Sequence, residues 1–324
     1  MGNRKDILAW LLDSDPSLLW QVQKDLLSLP PKIWEDTRKR LGREGFVSEL
    51  LKHQERDSTW AHGAHFPCGY TFDEPGQPYT ATGIVLSQLR ELGAAPEMLM
   101  PNTSKLLENL RWEYEDRPFW DGEVDVCINA YTLSNGTWLG RDMRHLIDWF
   151  EEHQLKDGGW NCEWVEGAVV SSFHSTLNAL IALLDYEQRA GASLRVRSMR
   201  RLGEEYFLKR RLMYRLSTGE RLPEWATWFG YPYRFAYSVI KALDYFRAAS
   251  LFDRTPPDPR LKEAIAFLWA AQSTDGTWLQ QHRIPGKVWV EVDAPVGQPS
   301  KWLTFHALRV LDWWEKAEKD AEES

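Results

Sequence analysis

Gln154-Leu-Lys-Asp-Gly-Gly-Trp160 and Gln272-Ser-Thr-Asp-Gly-Thr-Trp278 share one pattern: Gln, three residues, Gly, one residue, Trp. Each ends a helix-like apolar run. Gln54-Glu-Arg-Asp-Ser-Thr-Trp60 is a weaker copy, with Ser58 where the others have Gly. The starts lie 100 and 118 residues apart. That spacing points to a repeating unit of roughly 50 residues, with some units lacking the full signature. A helical repeat of this length predicts an array closed into a ring or stacked into a solenoid.

The flanking residues follow the same grammar. Met143, Leu146, Ile147 and Phe150 are spaced i, i+3, i+4, i+7, one face of a helix that Asp157-Gly158-Gly159 stops. Ser171-Ser172 then offers an N-cap for a return helix carrying Leu177, Leu180, Ile181 and Leu184. Leu261 to Trp269 precedes Gln272, and Pro299-Ser300 opens a helix with Leu303, Leu308 and Leu311. Val47, Leu50 and Leu51 precede Gln54, with Thr80 to Leu89 as the return. Two further units, Lys105 to Leu133 and Arg201 to Phe246, lack the signature, and Ile7 to Lys39 reads as a helix pair broken at Asp15-Pro16 and Pro30-Pro31. This predicts about six helical hairpins. Val288 to Val292 alternates and predicts a short hairpin, and the tail from Glu315 to Ser324 is expected to fray.

The chain has 324 residues and a net charge of −8, which disfavours a nucleic-acid partner. Its 3 Cys are too few for a disulfide scaffold, so reduced thiols in a cytoplasmic protein are expected. The opening residues do not read as a signal peptide, and no apolar run approaches the roughly 20 residues of a transmembrane segment. The 18 Trp either wedge between repeats or line a broad cavity, packing being the commoner use of any single one.

A Gln side chain both donates and accepts, so it can bridge the orphan groups where one helix ends and the next begins. Gly allows a sharp turn and Trp fills the gap between hairpins. Gln-x3-Gly-x-Trp after an outer helix resembles the tie motif of squalene and oxidosqualene cyclases, shared in weaker form by protein prenyltransferase β subunits. By organisation the resemblance covers residues 45 to 318. It implies an all-α fold, an α/α toroid. The chain would form one domain over 1–324, with 1–45 a helix pair that packs beside or completes the ring. It also implies a large apolar or isoprenoid ligand in an aromatic-lined cavity, without excluding a protein partner. Matching the inner helices on Asn178-Ala-Leu180, Lys241-Ala-Leu243 and His306-Ala-Leu308 sets His174, Tyr237 and Trp302 in one column, with Cys127 added from the 105–133 unit. Tyr237, Trp302, Trp120 and Trp160 are the expected cavity residues.

Asp125-Val126-Cys127 resembles the Asp-x-Cys at an inner helix start of the prenyltransferase β subunits, where both residues ligate zinc. Phe173-His174-Ser175-Thr176 resembles the phrase around the third ligand. The resemblance therefore implies Zn²⁺ on Asp125, Cys127 and His174, with Cys162 placed to fill or compete for the fourth position. Carboxylate, thiolate and imidazole with one open position make a catalytic zinc set. The plainer alternative makes Cys127 a packing residue and His174 a hydrogen-bonding one. The cyclases instead protonate an alkene or epoxide with an Asp-x-Asp-Asp motif. The nearest phrase here is Asp121-x-Glu123-x-Asp125, three carboxylates at alternate positions. Crowded like charges raise one pKa, which would make Asp125 a proton donor supported by Asp121 and Glu123. Its competitor is a solvated or helix-capping acidic loop. The same stretch is acidic where prenyltransferases are basic, which disfavours a bare diphosphate.

Other function classes stay open. A carbohydrate-active toroid would stack sugars on Trp and use carboxylates among Asp121, Asp125, Glu163 and Glu166. A non-catalytic scaffold would use the same hollow to bind a ligand or a protein. His62, His65 and Cys68 have metal-like spacing in a loop. Arg283, Lys287 and Lys301 either hold an anion in a lid or form surface ion pairs.

Overall fold

The structure is a computed structural model that describes residues 3–73 and 75–323. Its helices are α1 (Arg4–Leu12), α2 (Pro16–Gln21), α3 (Pro31–Lys39), α4 (Gly45–Lys52), α5 (Thr82–Leu92), α6 (Thr103–Leu106), α7 (Val126–Trp138), α8 (Arg144–Glu152), α9 (Phe173–Ala190), α10 (Leu194–Leu208), α11 (Val239–Asp253), α12 (Lys262–Ala270) and α13 (Lys301–Glu322). Two short strands, β1 (Trp278–Leu279) and β2 (Pro299–Ser300), pair antiparallel. The chain divides into two compact units: a middle unit, Lys39–Glu204 with Pro285–Glu291, and a flanking unit, Met1–Arg38, Glu205–Ile284 and Val292–Ser324.

Local chemistry sets the helix starts. Asp15 accepts from the backbone N–H of Ser17 at the start of α2, with Pro16 in the first turn. Ser172, Ser238 and Ser300 each accept a backbone N–H three residues on, opening α9, α11 and α13. The opening segment breaks where its prolines stand, but it yields three short helices with a π-turn at Val22–Leu26. Residues 288–292 form no strand, contrary to the alternation. Trp289 Nε1 in this stretch donates to Thr80 O (2.8 Å), and the carbonyl of Lys287, just before it, accepts from Tyr79 N (2.8 Å). The tail is helical to Glu322, Ser324 lying outside the described residues.

In the middle unit α7 packs against both α5 and α9. Nearly all of α7 is buried, polar positions included. Apart from Thr137 Oγ1, which has no hydrogen-bond partner among the described residues, those positions are paired: Asn135 Nδ2 donates to Gly83 O (2.9 Å), and Ser134 Oγ donates to Asp185 (2.9 Å). A buried polar group that bonds a neighbouring helix fixes one register, since a slip would orphan it. Arg200, fully buried, pairs with Glu187 (2.6 Å) and Glu204 (3.0 Å). In the flanking unit α11 packs on α13 and α12, and α13 also meets the π-turn. Arg309 there pairs with Asp244 and with Asp25.

The repeated motif has one geometry in all three copies. The indole N–H of Trp60, Trp160 and Trp278 donates to the carbonyl ten residues earlier, Leu50, Phe150 and Leu268, at 2.8, 2.8 and 2.9 Å. All three rings are fully buried. Gln154 Nε2 donates to Gly158 O (2.7 Å) in its own turn and to Met199 O (2.9 Å) in α10, so it ties successive helices. Gln54 does the same with Thr103 (2.9 Å) and the Met100 N–H (3.0 Å). Gln272 reaches Gly276 O (2.9 Å). The backbone N–H groups of the three Trp donate to the hydroxyls of Thr82, Thr176 and Thr304 of the return helices, at 3.0–3.1 Å.

Candidate functional site

The acidic loop ends where α7 begins, and two contacts shape it. Asn129, one turn into α7, clamps Glu123: its Oδ1 accepts the Glu123 N–H (2.7 Å) and its Nδ2 donates to Glu123 O (2.7 Å). Glu123 Oε2 accepts the Asp125 N–H (2.7 Å). Asp125 occupies the N-cap position of α7, yet its side chain makes no capping bond. Its carboxyl is thus not consumed by the helix end. Burial pushes both carboxyls up, Glu123 further by the charge of Asp125. Asp121 is exposed.

A second loop closes on the first. Residues 162–166 form a 3-10 turn capped by Asn161. Trp164 Nε1 donates to Val124 O (2.8 Å), and the Trp164 ring meets His153 edge-on at 4.2 Å. Cys162 and Cys127 face each other, Sγ to Sγ 3.4 Å. The hydrogen-bonding contact between the two thiols pulls Cys162 below its ordinary pKa, with Ser175 contributing. The nearby Cys162 thiol opposes part of the rise at Asp125. Asp125, Cys127 and Cys162 therefore form one cluster. His174, half-buried in the first turn of α9, presents its backbone carbonyl to Asn178 Nδ2 (3.0 Å).

The fit to zinc is poor. Among the described residues no three His, Cys, Asp or Glu side chains are arranged to hold a metal ion. The cysteine sulfurs hydrogen-bond each other, and Asn178 and Ser175, donors of poor metal affinity, address them. His62 turns to Asp57 (3.3 Å), His65 to Gln77 (2.6 Å), and Cys68 is exposed, so that trio does not gather either. Lys301 bonds the Asp13 carbonyl, Arg283 the Asp293 carbonyl (3.2 Å), and Lys287 is exposed, so these three are spread over separate contacts.

The four expected cavity aromatics are packed. Trp160 serves the tie; Tyr237 O–H donates to Leu212 O (2.6 Å); Trp302 stacks on Tyr231 (4.8 Å); Trp120 Nε1 donates to Ser104 O (3.1 Å). All are at most 4% exposed. Their surfaces are spent on the core.

Sequence reasoning passed over Trp164, Ser175 and Asn178, which complete the cluster. Ser175 and Asn178 stand three apart on one face of α9, with Asn178 also four past His174, a spacing that could have marked them. It also missed Glu113, whose carboxylate accepts the N–H groups of Ala64, His65 and Phe66 at 2.9–3.1 Å.

No family profile matches the chain, and no curated protein matches it. Solved structures do. A glycosyl hydrolase family 88 protein from Bacteroides vulgatus is similar over 97% of this chain and 98% of its own, at 9% identity and a TM-score of 0.51. A protein from Actinoplanes aligns over 94% and 90%, with 17% identity and a TM-score of 0.46. A type II terpene cyclase from Scytonema, in complex with geranylgeranyl dihydroxybenzoate, aligns over 96% and 79%, with 13% identity and a TM-score of 0.30. The first likeness shows the fold: this chain is all-α, of the α/α toroid class. Among the described residues no helix is long and apolar enough to cross a membrane.

Proposed function

We propose that the chain is an acid-catalysing enzyme of the terpenoid cyclase and prenyltransferase kind, acting on a large apolar or isoprenoid substrate. The observation that carries this reading is Asp125: a half-buried carboxyl at a helix start, uncapped, pushed up by burial and set beside Glu123. A carboxyl whose pKa is raised spends more time in its acid form than an ordinary one and is the better proton donor. The Asp125 O–H bond breaks and its proton adds to one carbon of a double bond. The π electrons form the new C–H bond, and the adjacent carbon becomes cationic. Aromatic faces such as Trp164 favour that cation. Attack by a second double bond closes a C–C bond and moves the cation to a new carbon; loss of a proton, or addition of water with loss of its proton, then quenches it. Glu123 and Asp121 make the loop acidic, which suits a neutral polyene better than a diphosphate.

A second reading has its own support. The likeness to the family 88 glycosyl hydrolase spans nearly the whole of both chains. Exposed Glu163 and Glu166 sit on the turn that Trp164 pins to the Asp125 loop. Asp125 as acid, Glu163 as base and Trp164 as a stacking face would suit a glycoside.

One experiment separates the readings. Purified protein is incubated with squalene, with geranylgeranyl diphosphate and with a panel of oligosaccharides, alongside Asp125→Asn. A cyclised or hydrated polyene that disappears in the variant supports the proposal. Sugar release lost in the variant supports the second reading. Polyene turnover that survives in Asp125→Asn removes Asp125 as the acid, and no turnover of any substrate favours a binding scaffold.

A further inference from the structure

The middle unit brings two of the chain's three cysteines into contact. Cys127 is buried in the first turn of α7 and Cys162 is half-buried at the start of the 162–166 turn. Their sulfurs lie 3.4 Å apart. Each sulfur also takes a hydrogen bond: Ser175 Oγ donates to Cys162 Sγ (3.3 Å) and Asn178 Nδ2 to Cys127 Sγ (3.4 Å). The turn is fixed at both sides, by Trp164 to Val124 O (2.8 Å) and by the Cys162 N–H to Ser175 Oγ (3.1 Å). Two thiols are therefore held together by separate elements, neither adjacent in sequence nor placed by chance flexibility. A disulfide has an S–S length of about 2.05 Å, so the sulfurs need to close by about 1.4 Å to bond. Cys68 is exposed and belongs to another loop.

We propose that Cys127 and Cys162 are a redox-active dithiol, a modification site whose reactant is a low-molecular-weight disulfide. Cys162 is the more exposed thiol and attacks first. Its sulfur bonds to one sulfur of the reactant, and that S–S bond breaks. The first leaving thiolate departs and takes up the Cys162 proton. Cys127 then attacks Cys162 Sγ and expels the second thiolate, which takes up the Cys127 proton. The protein loses two electrons and two protons, and the reactant becomes two free thiols. Hydrogen bonds to both sulfurs favour the anionic form that attacks. The inference does not depend on the substrate proposed above, because its readout is covalent and needs no turnover.

The test uses the full chain carrying Cys68→Ser, treated with oxidised glutathione and quenched with N-ethylmaleimide. Intact mass and peptide mapping then locate every thiol. The expected result is joint loss of both alkylatable thiols, a peptide cross-link between positions 127 and 162, and full recovery with dithiothreitol. Adding Cys127→Ser is expected to leave one stable glutathione adduct on Cys162. Three results would overturn the proposal: a glutathione adduct on Cys162 with no cross-link while Cys127 is intact, both thiols remaining alkylatable, or a cross-link that forms only in urea. These are all read from the chain with both cysteines present, so a poorly folding variant cannot blur the outcome.

Discussion

Replacing Trp160 with Phe tests the tie directly. The indole ring is fully buried, and its N–H donates to Phe150 O at 2.8 Å. That carbonyl lies in the last turn of α8, where a helix leaves carbonyls without intrahelical donors. Phe removes the donor and about 40 Å³ of side chain. At roughly 24 cal/mol per Å³ the void costs about 1 kcal/mol. A buried acceptor left without its partner costs about 1–3 kcal/mol more. The expected loss is therefore about 3 kcal/mol, read as a lower urea midpoint at unchanged slope by far-ultraviolet circular dichroism. Trp164→Phe is the control. That ring is half-exposed and its bond reaches a loop carbonyl, Val124 O, so its loss is expected to stay near 1 kcal/mol. Trp60→Phe and Trp278→Phe are expected to match Trp160→Phe, because they make the same bond from equally buried rings. If Trp160→Phe costs no more than Trp164→Phe, the indole bonds are incidental and the tie is only hydrophobic filling.

Gly158 sits at φ +99°, and a Cβ there would lie 2.4 Å from Leu202 O, so Gly158→Ala is expected to lower stability by about 2 kcal/mol or more in the same urea assay. Ser58 occupies the equivalent place at φ +69° but its hydroxyl accepts from Thr103 Oγ1 (3.2 Å), so Ser58→Gly trades relieved strain for a lost bond and is expected to fall within about 1 kcal/mol of wild type. Asp293 supplies a pH prediction: burial pushes its carboxyl up to about 6. A raised acid binds more protons folded than unfolded, so its contribution is fully present below about 3.9 and lost as pH rises through about 6. His306, held down to about 4 by burial, acts oppositely, gaining stability as pH rises through the same window. Whole-chain stability hides both effects, but the gap between Asp293→Asn and wild type isolates the first. Asp293→Asn is expected to gain on wild type steadily from pH 4 to pH 6, and a gap that stays flat would show that Asp293 titrates as an ordinary surface acid.

The helices were legible because their rules are local. Apolar spacing placed α8 and α9, serines at their caps placed the starts of α9 and α13, and prolines broke the opening segment. The tie was legible for another reason: Gln, Gly and Trp each have one job that sequence distance fixes, since the indole always reaches back ten residues. The Thr partners were not legible, because they stand 22, 16 and 26 residues beyond their Trp and only the fold sets that interval. The same division runs through the candidate site. Asp125 and Cys127 share a turn and could be paired by eye, and Cys162 came from proximity to His174 in sequence. Whether a side chain caps a helix, holds a metal or stays available is a question of direction, which spacing does not carry. Asp125 declines the cap it is placed to make, and the two sulfurs turn to each other. Trp120, Trp160, Tyr237 and Trp302 show the converse. An aromatic in the right register can face a hollow or fill a core, and each of these has its polar atom or ring face committed to a neighbour. Trp164 is the ring bonded to the Asp125 loop, through Val124 O, so under the proposed function Trp164→Ala, more than a change at the predicted aromatics, is expected to alter substrate binding.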